Sequence, residues 1–204
     1  DSFVTAMHLA ALGAVDARLL PEITALADLI EKKAESWMDV AKIGRTHLQD
    51  AVPLSVGQEW SAWAEALRHT CFDIEKAREG LMEIALGGTA VGTGLNAPDG
   101  FAEEVASEIA RMTRLPIRTA PNKFYAQATL DPFLRLSAAL RGLSVALIKI
   151  ANDVRWLASG PRCGIGELKL PQNEPGSSIM PCKVNPTQSE ALLIVAMQVI
   201  GHDT

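Results

Sequence analysis

The chain has 204 residues, 48% apolar and 21% charged, enough for a substantial core and contrary to disorder. Its 19 Lys and Arg against 24 Asp and Glu give a formal net charge of -5, so neither nucleic acid nor an anionic membrane surface is an expected partner. The three cysteines, Cys71, Cys163 and Cys182, form no CxxC pair, which argues against a zinc site or disulfide framework and suits a reducing compartment.

Residues 2–38 read as helix, with a break predicted at Pro21, whose ring nitrogen cannot donate inside a helix. The segment 55–86 places Val56, Trp60, Trp63, Leu67, Thr70, Ile74, Ala77, Leu81 and Ile84 at three- and four-residue spacing, which predicts a long helix with a coiled-coil-like seam. The glycine-rich run Gly87–Gly94 ends it. A short helix is expected over 101–113, and a connection around Pro116 and Pro121. Residues 131–159 repeat the spacing through Phe133, Leu136, Leu140, Leu143, Leu147, Ile150, Val154 and Leu157, with Leu134, Val145 and Ile148 widening the apolar face.

Gly160 and Pro161 stop that helix, 160–184 reads as loop, and a last helix is expected near Pro186. No signal peptide is read at Asp1, and the apolar run near Leu143 to Ile150 is too short to span a bilayer. No strand alternation or internal repeat is evident. The predicted class is therefore all-α, with helices of about 30 residues, roughly 45 Å long. Helices of that length predict an elongated bundle completed by other subunits.

Chemistry-bearing residues concentrate in two segments. The first, Lys42 to Asp50, holds Thr46 and His47 between helices. His47 suits proton transfer, because an unperturbed imidazole titrates near pH 6.5, and Thr46 can donate to a carboxylate. The competing reading is a polar turn in which His47 caps a helix or meets solvent.

The second segment runs from Glu174 to Glu190. Gly176, Ser177 and Ser178 lie between Pro175 and Pro181, which suits a lid with rigid ends. Asn185 and Pro186 read as the N-cap and first position of a helix, with Gln188 completing a variant capping box. Lys183 near a helix N-terminus would make a carboxylate cradle. The competing reading is an ordinary loop-to-helix junction with a solvated lysine.

Gly176 to Pro186 fits the signature Gly-Ser-Ser-x-Met-Pro-x-Lys-x-Asn-Pro of the fumarase/aspartase superfamily at every fixed position. The segment around His47 resembles the class II fumarate hydratase version, where aspartases typically carry Gln. Gly87 to Asn96, Pro121 to Phe124, Asn152 to Gly166 and Pro186 to Gln188 are similar to it too.

That resemblance implies reversible, stereospecific hydration of fumarate to (S)-malate in the tricarboxylic acid cycle, without metal or organic cofactor. It assigns Ser177 as the base that removes the C3 proton of malate, on a mobile lid. It pairs His47 with Glu190 to activate water. Thr46, Ser178, Lys183, Val184 and Asn185 would hold the substrate carboxylates. It also implies a homotetramer whose helices form a central bundle and whose active sites each draw on three subunits. The compartment would be the cytoplasm, or the mitochondrial matrix in a eukaryote, with no membrane or nucleic-acid partner.

Some residues depart from the family pattern. Of the motif Ser-Ser-Asn-Asp only Asp1 is present, so residues 1–204 are expected to be a central helical-bundle domain lacking the N-terminal domain, the end of the bundle and the C-terminal domain. By itself such a chain is expected to associate and to have little activity. Cys182 stands where fumarases usually have glycine, Val4 where they have proline, and Tyr125, Gln127 and Leu130 also differ. The alternatives are an aspartate ammonia-lyase-like enzyme, against which His47 argues, and a catalytically silent helical scaffold.

Overall fold

The computed structural model describes every residue of the chain except Pro175, so the expected rigid end of the lid at that proline lies outside the described residues. The chain divides into two compact units, Asp1–Ala139 and Leu140–Thr204. Helices dominate both, as the apolar spacing predicts.

In the first unit α1 (Ser2–Ala14) passes through a π turn (Val15–Leu19) into α2 (Leu20–Ser36). The predicted break at Pro21 does not occur. The Leu20 N–H reaches back five residues to the Val15 carbonyl, and this wider turn resets the hydrogen-bond register. Pro21 then falls in the opening turn of α2, where its missing donor costs little. By length and composition this Ser2–Ser36 helix could cross a membrane. Within the unit, however, it buries Leu12, Val15, Ile23, Ala27 and Ile30 in the protein's own core.

Between α2 and α3 the chain forms a hairpin, β1 (Ala41–Thr46) against β2 (Gln49–Ser55), antiparallel, with Thr46 opposite Gln49. The expectation of no strands fails here for a physical reason. Neither strand buries a full face, so neither shows the alternation that a half-buried strand writes into sequence. Gly44 sits at the register shift, where an added Cβ would lie 2.7 Å from the Val52 carbonyl oxygen.

Helix α3 (Val56–Arg78) opens on a capping box in which Ser55 accepts from the Gln58 N–H and Gln58 accepts from the Ser55 N–H. Its buried face, including Trp63, Leu67, Thr70, Ile74 and Ala77, follows the predicted seam and packs on α2. The seam outlasts the helix. Leu81 and Ile84 are fully buried, but they lie in a 3-10 turn (Glu79–Met82) and in β3 (Glu83–Ile84). The helix therefore ends short of residue 86, because residues 83 and 84 pair parallel with β4 (Arg118–Thr119). Between those strands lie the glycine-rich run and α4 (Phe101–Thr113), the latter as predicted. Asp1 pins that run by accepting the N–H groups of Gly87 and Thr89 at 3.1 and 3.0 Å. A short α5 (Lys123–Ala128) follows, and α6 (Asp131–Leu157) begins in this unit.

The second unit holds the rest of α6, a long loop and α7 (Thr187–Asp203). Leu143, Ile150, Ala151 and Leu157 of α6 and Leu193 and Ala196 of α7 are buried, and Arg141 bridges to Asp203. The start of the loop is tied to the end of α6: Ser159 Oγ accepts from the Ile165 N–H and its carbonyl from Gly166. The predicted cap is displaced by one residue. Pro186, with ψ 47°, is not yet helical, and its carbonyl accepts the first helical bond from Glu190. Pro186 is thus the N-cap, and the expected Asn185–Gln188 capping box does not form.

Candidate active site

The catalytic candidates lie on two kinds of support. Thr46 closes β1, and His47 and Leu48 form the two-residue tip of the hairpin, with φ of 54° and 62°. Two left-handed residues in succession make the tight primed turn that matches strand twist. Glycine or asparagine normally fills it, and placing His47 and Leu48 there costs energy. The turn holds the imidazole out on an exposed tip, and among the described residues the ring has no hydrogen-bond partner. The base of the hairpin is held by Lys42, nearly buried, 2.7 Å from Glu59 of α3. His47 therefore does not cap a helix.

The remaining candidates belong to the second unit. Ser177 is half-buried, and its Oγ accepts the backbone N–H groups of Ile179 (3.1 Å) and Met180 (3.2 Å). Donors aimed at an oxygen favour its negatively charged form, which is what a serine needs to act as a base. Gly176 explains the first position of the motif. A Cβ there would lie 1.6 Å from the Lys183 carbonyl oxygen, so the loop pinches shut on itself only with glycine. This places the two ends of the Gly176–Lys183 loop side by side.

Lys183, Val184 and Asn185 line one cavity with Asn152, Arg155, Trp156, Lys169 and the Ser159–Pro161 turn. Three cationic side chains, Arg155, Lys169 and Lys183, thus border a single space, which suits a dianionic ligand. A neighbouring depression shares Val184 and Asn185 and adds Gly176 and Glu174. Glu174 accepts a hydrogen bond from the Thr187 hydroxyl, so a carboxylate of the chain itself stands at the start of α7. Ser178 is exposed.

Glu190, in the first turn of α7, faces Arg155, whose Nη2 lies 3.7 Å from Oε1. The Arg155 Nη1 donates to the Asn152 side-chain oxygen at 3.0 Å. Arg155, Asn152 and Lys169 were not picked out from sequence as site residues. The signal available was the i, i+3 spacing of Asn152 and Arg155 in the last turns of α6. Among the described residues no three His, Cys, Asp or Glu side chains gather as metal ligands would.

Residues 1–201 match the profile of a lyase family. The class II fumarate hydratase of Methanosarcina acetivorans is 58% identical over 203 residues, covering 100% of this chain and 42% of that protein. The Yersinia pestis class II fumarate hydratase is 57% identical, with 100% and 44% covered. The crystal structure of class II fumarase from Schistosoma mansoni superposes with a TM-score of 0.96 at 42% identity, over 100% of this chain and 46% of that one. The chain thus spans less than half the length of the curated relatives it matches. The matching profile covers both the hairpin of His47 and the loop of Ser177, and the chain belongs to this lyase family, alongside the class II fumarate hydratases.

Proposed function

We propose that the chain carries the proton-transfer and carboxylate-holding part of a fumarate hydratase. The observation that carries this reading is Ser177, whose Oγ accepts two backbone N–H groups on a loop that ends at a cavity bordered by three cations. An abstracting serine, a cationic pocket and a histidine on a tight turn are the parts that hydration of a dicarboxylate needs.

In the malate-to-fumarate direction, the Ser177 alkoxide takes the C3 proton, and the electron pair moves onto the adjacent carboxylate. The resulting aci-carboxylate dianion is stabilised by Lys183, the Asn185 amide, Ser178 and the Val184 backbone. Such donors lower the barrier because charge on the carboxylate grows toward the transition state. The C2 hydroxyl leaves as water, protonated by His47 in its imidazolium form. Hydration runs the same steps backward: neutral His47 takes a proton from water as its oxygen attacks C2, and Ser177 returns a proton to C3. Glu190 favours the imidazolium and orients the ring. Thr46 holds a substrate carboxylate beside His47. In the homotetramer of this reading, neighbouring subunits complete each site. The reaction would serve the tricarboxylic acid cycle in a reducing compartment, cytoplasmic or mitochondrial.

The test replaces Ser177 and His47 in the complete reading frame that contains these residues. Ser177→Ala is expected to lower kcat by about a thousandfold, and His47→Asn by about a hundredfold, at the scale of general acid–base catalysis. Ultraviolet loss of fumarate reads both. Wild-type turnover in the Ser177→Ala protein would refute the assignment.

A further inference from the structure

We propose that Arg155 is a positioning residue for Glu190, holding its carboxylate aimed for the water-activating step. This inference rests on the hydration reading above. The guanidinium is fixed on one side by Asn152, one turn back on α6, at 3.0 Å. On the other side its Nη2 stands 3.7 Å from Glu190 Oε1. A planar guanidinium clamped at one nitrogen presents the others in a fixed direction, which a flexible ammonium does not.

The surroundings leave this role to Arg155. Glu190 lies in the first turn of α7, and Arg155 of α6 is the cation paired with it. Of the other charged groups nearby, Glu174 is bonded to Thr187, while Lys169 and Lys183 line the cavity that Arg155 also borders. Among the described residues the Nε of Arg155 is buried without a hydrogen-bond partner, so this side chain tolerates an unsatisfied donor to keep its position. Glu190 is half-exposed, and among the described residues Arg155 is the side chain that restrains its rotamer.

The experiment measures kcat and KM in the complete reading frame for R155M, R155K, N152A and E190Q, and for R155M and N152A each combined with E190Q. The expected result for R155M is a kcat about tenfold lower, as misaligned catalytic groups give, with a smaller rise in KM because Lys169 and Lys183 still border the cavity. R155K should recover part of the rate. In an E190Q background R155M should add no further loss. Additive losses in that double variant would overturn the inference. Should R155M fail to fold, N152A, which frees the guanidinium, decides the question in the same E190Q background, where it too should add no loss. Full activity in E190Q would instead defeat the reading of Glu190 itself, whatever Arg155 does.

Discussion

Cys182 occupies a left-handed backbone conformation, φ 63°, where the family resemblance expects glycine. A side chain there costs on the order of 1 kcal/mol, and glycine relieves it. Cys182→Gly should therefore raise stability by up to about 1 kcal/mol in denaturant titration, less what glycine adds to the entropy of the unfolded chain. A lower midpoint would show that the thiol makes a contact worth more than the strain.

His8 is the other residue whose position has a measurable consequence. It is 3% exposed, its Nδ1 donates to the Leu81 carbonyl at 3.1 Å, and Phe133 meets its ring edge-on. Burial lowers its pKa below 6.5, against the smaller opposing effect of that hydrogen bond. The folded state thus binds a proton less readily than the unfolded state. The stability that His8 contributes is present above pH 6.5 and falls as pH drops through 6.5 toward the lower folded value. Denaturant midpoints across that window should fall in the wild-type chain and flatten in His8→Gln. Equal slopes would contradict the assignment.

Much of the candidate site at this scale could be read from residue order, because Gly176, Ser177, Lys183 and Asn185 sit at fixed spacings. The two N–H donors to Ser177 could not, since backbone groups carry no residue identity. Nor could Arg155, which stands 35 residues before Glu190 in the chain, a separation that no local spacing encodes.

At the scale of elements, the helices followed their apolar spacing closely, and the departures have local causes. The π turn absorbed Pro21, and Pro186 rather than Asn185 became a cap. The hairpin escaped notice because His47-Leu48 fills a turn that usually announces itself as Asn-Gly. This gives a test of the hairpin itself. Leu48 is 63% exposed with φ 62°, so its side chain pays no packing return for the strain. Leu48→Gly should stabilise the protein by several tenths of a kcal/mol to about 1 and leave the His47 backbone in place. Destabilisation would mean that Leu48 is covered by something outside this chain.

For the whole molecule, the exposed apolar side chains are the main feature. Leu134, Val145 and Trp156 on α6, and Ile194, Val195 and Met197 on α7, are each more than half exposed. Faces of this kind mark association surfaces. The chain is expected to self-associate, and light scattering should report a species larger than a monomer. A clean monomer at micromolar concentration would contradict the assembly proposed here.

The central claim is that this site adds water to fumarate. It is tested most directly by supplying fumarate to the protein in its complete reading frame, with and without ammonia, and identifying the product. Formation of (S)-malate at the same rate in both conditions is the predicted result. Turnover that requires ammonia and yields aspartate would contradict it.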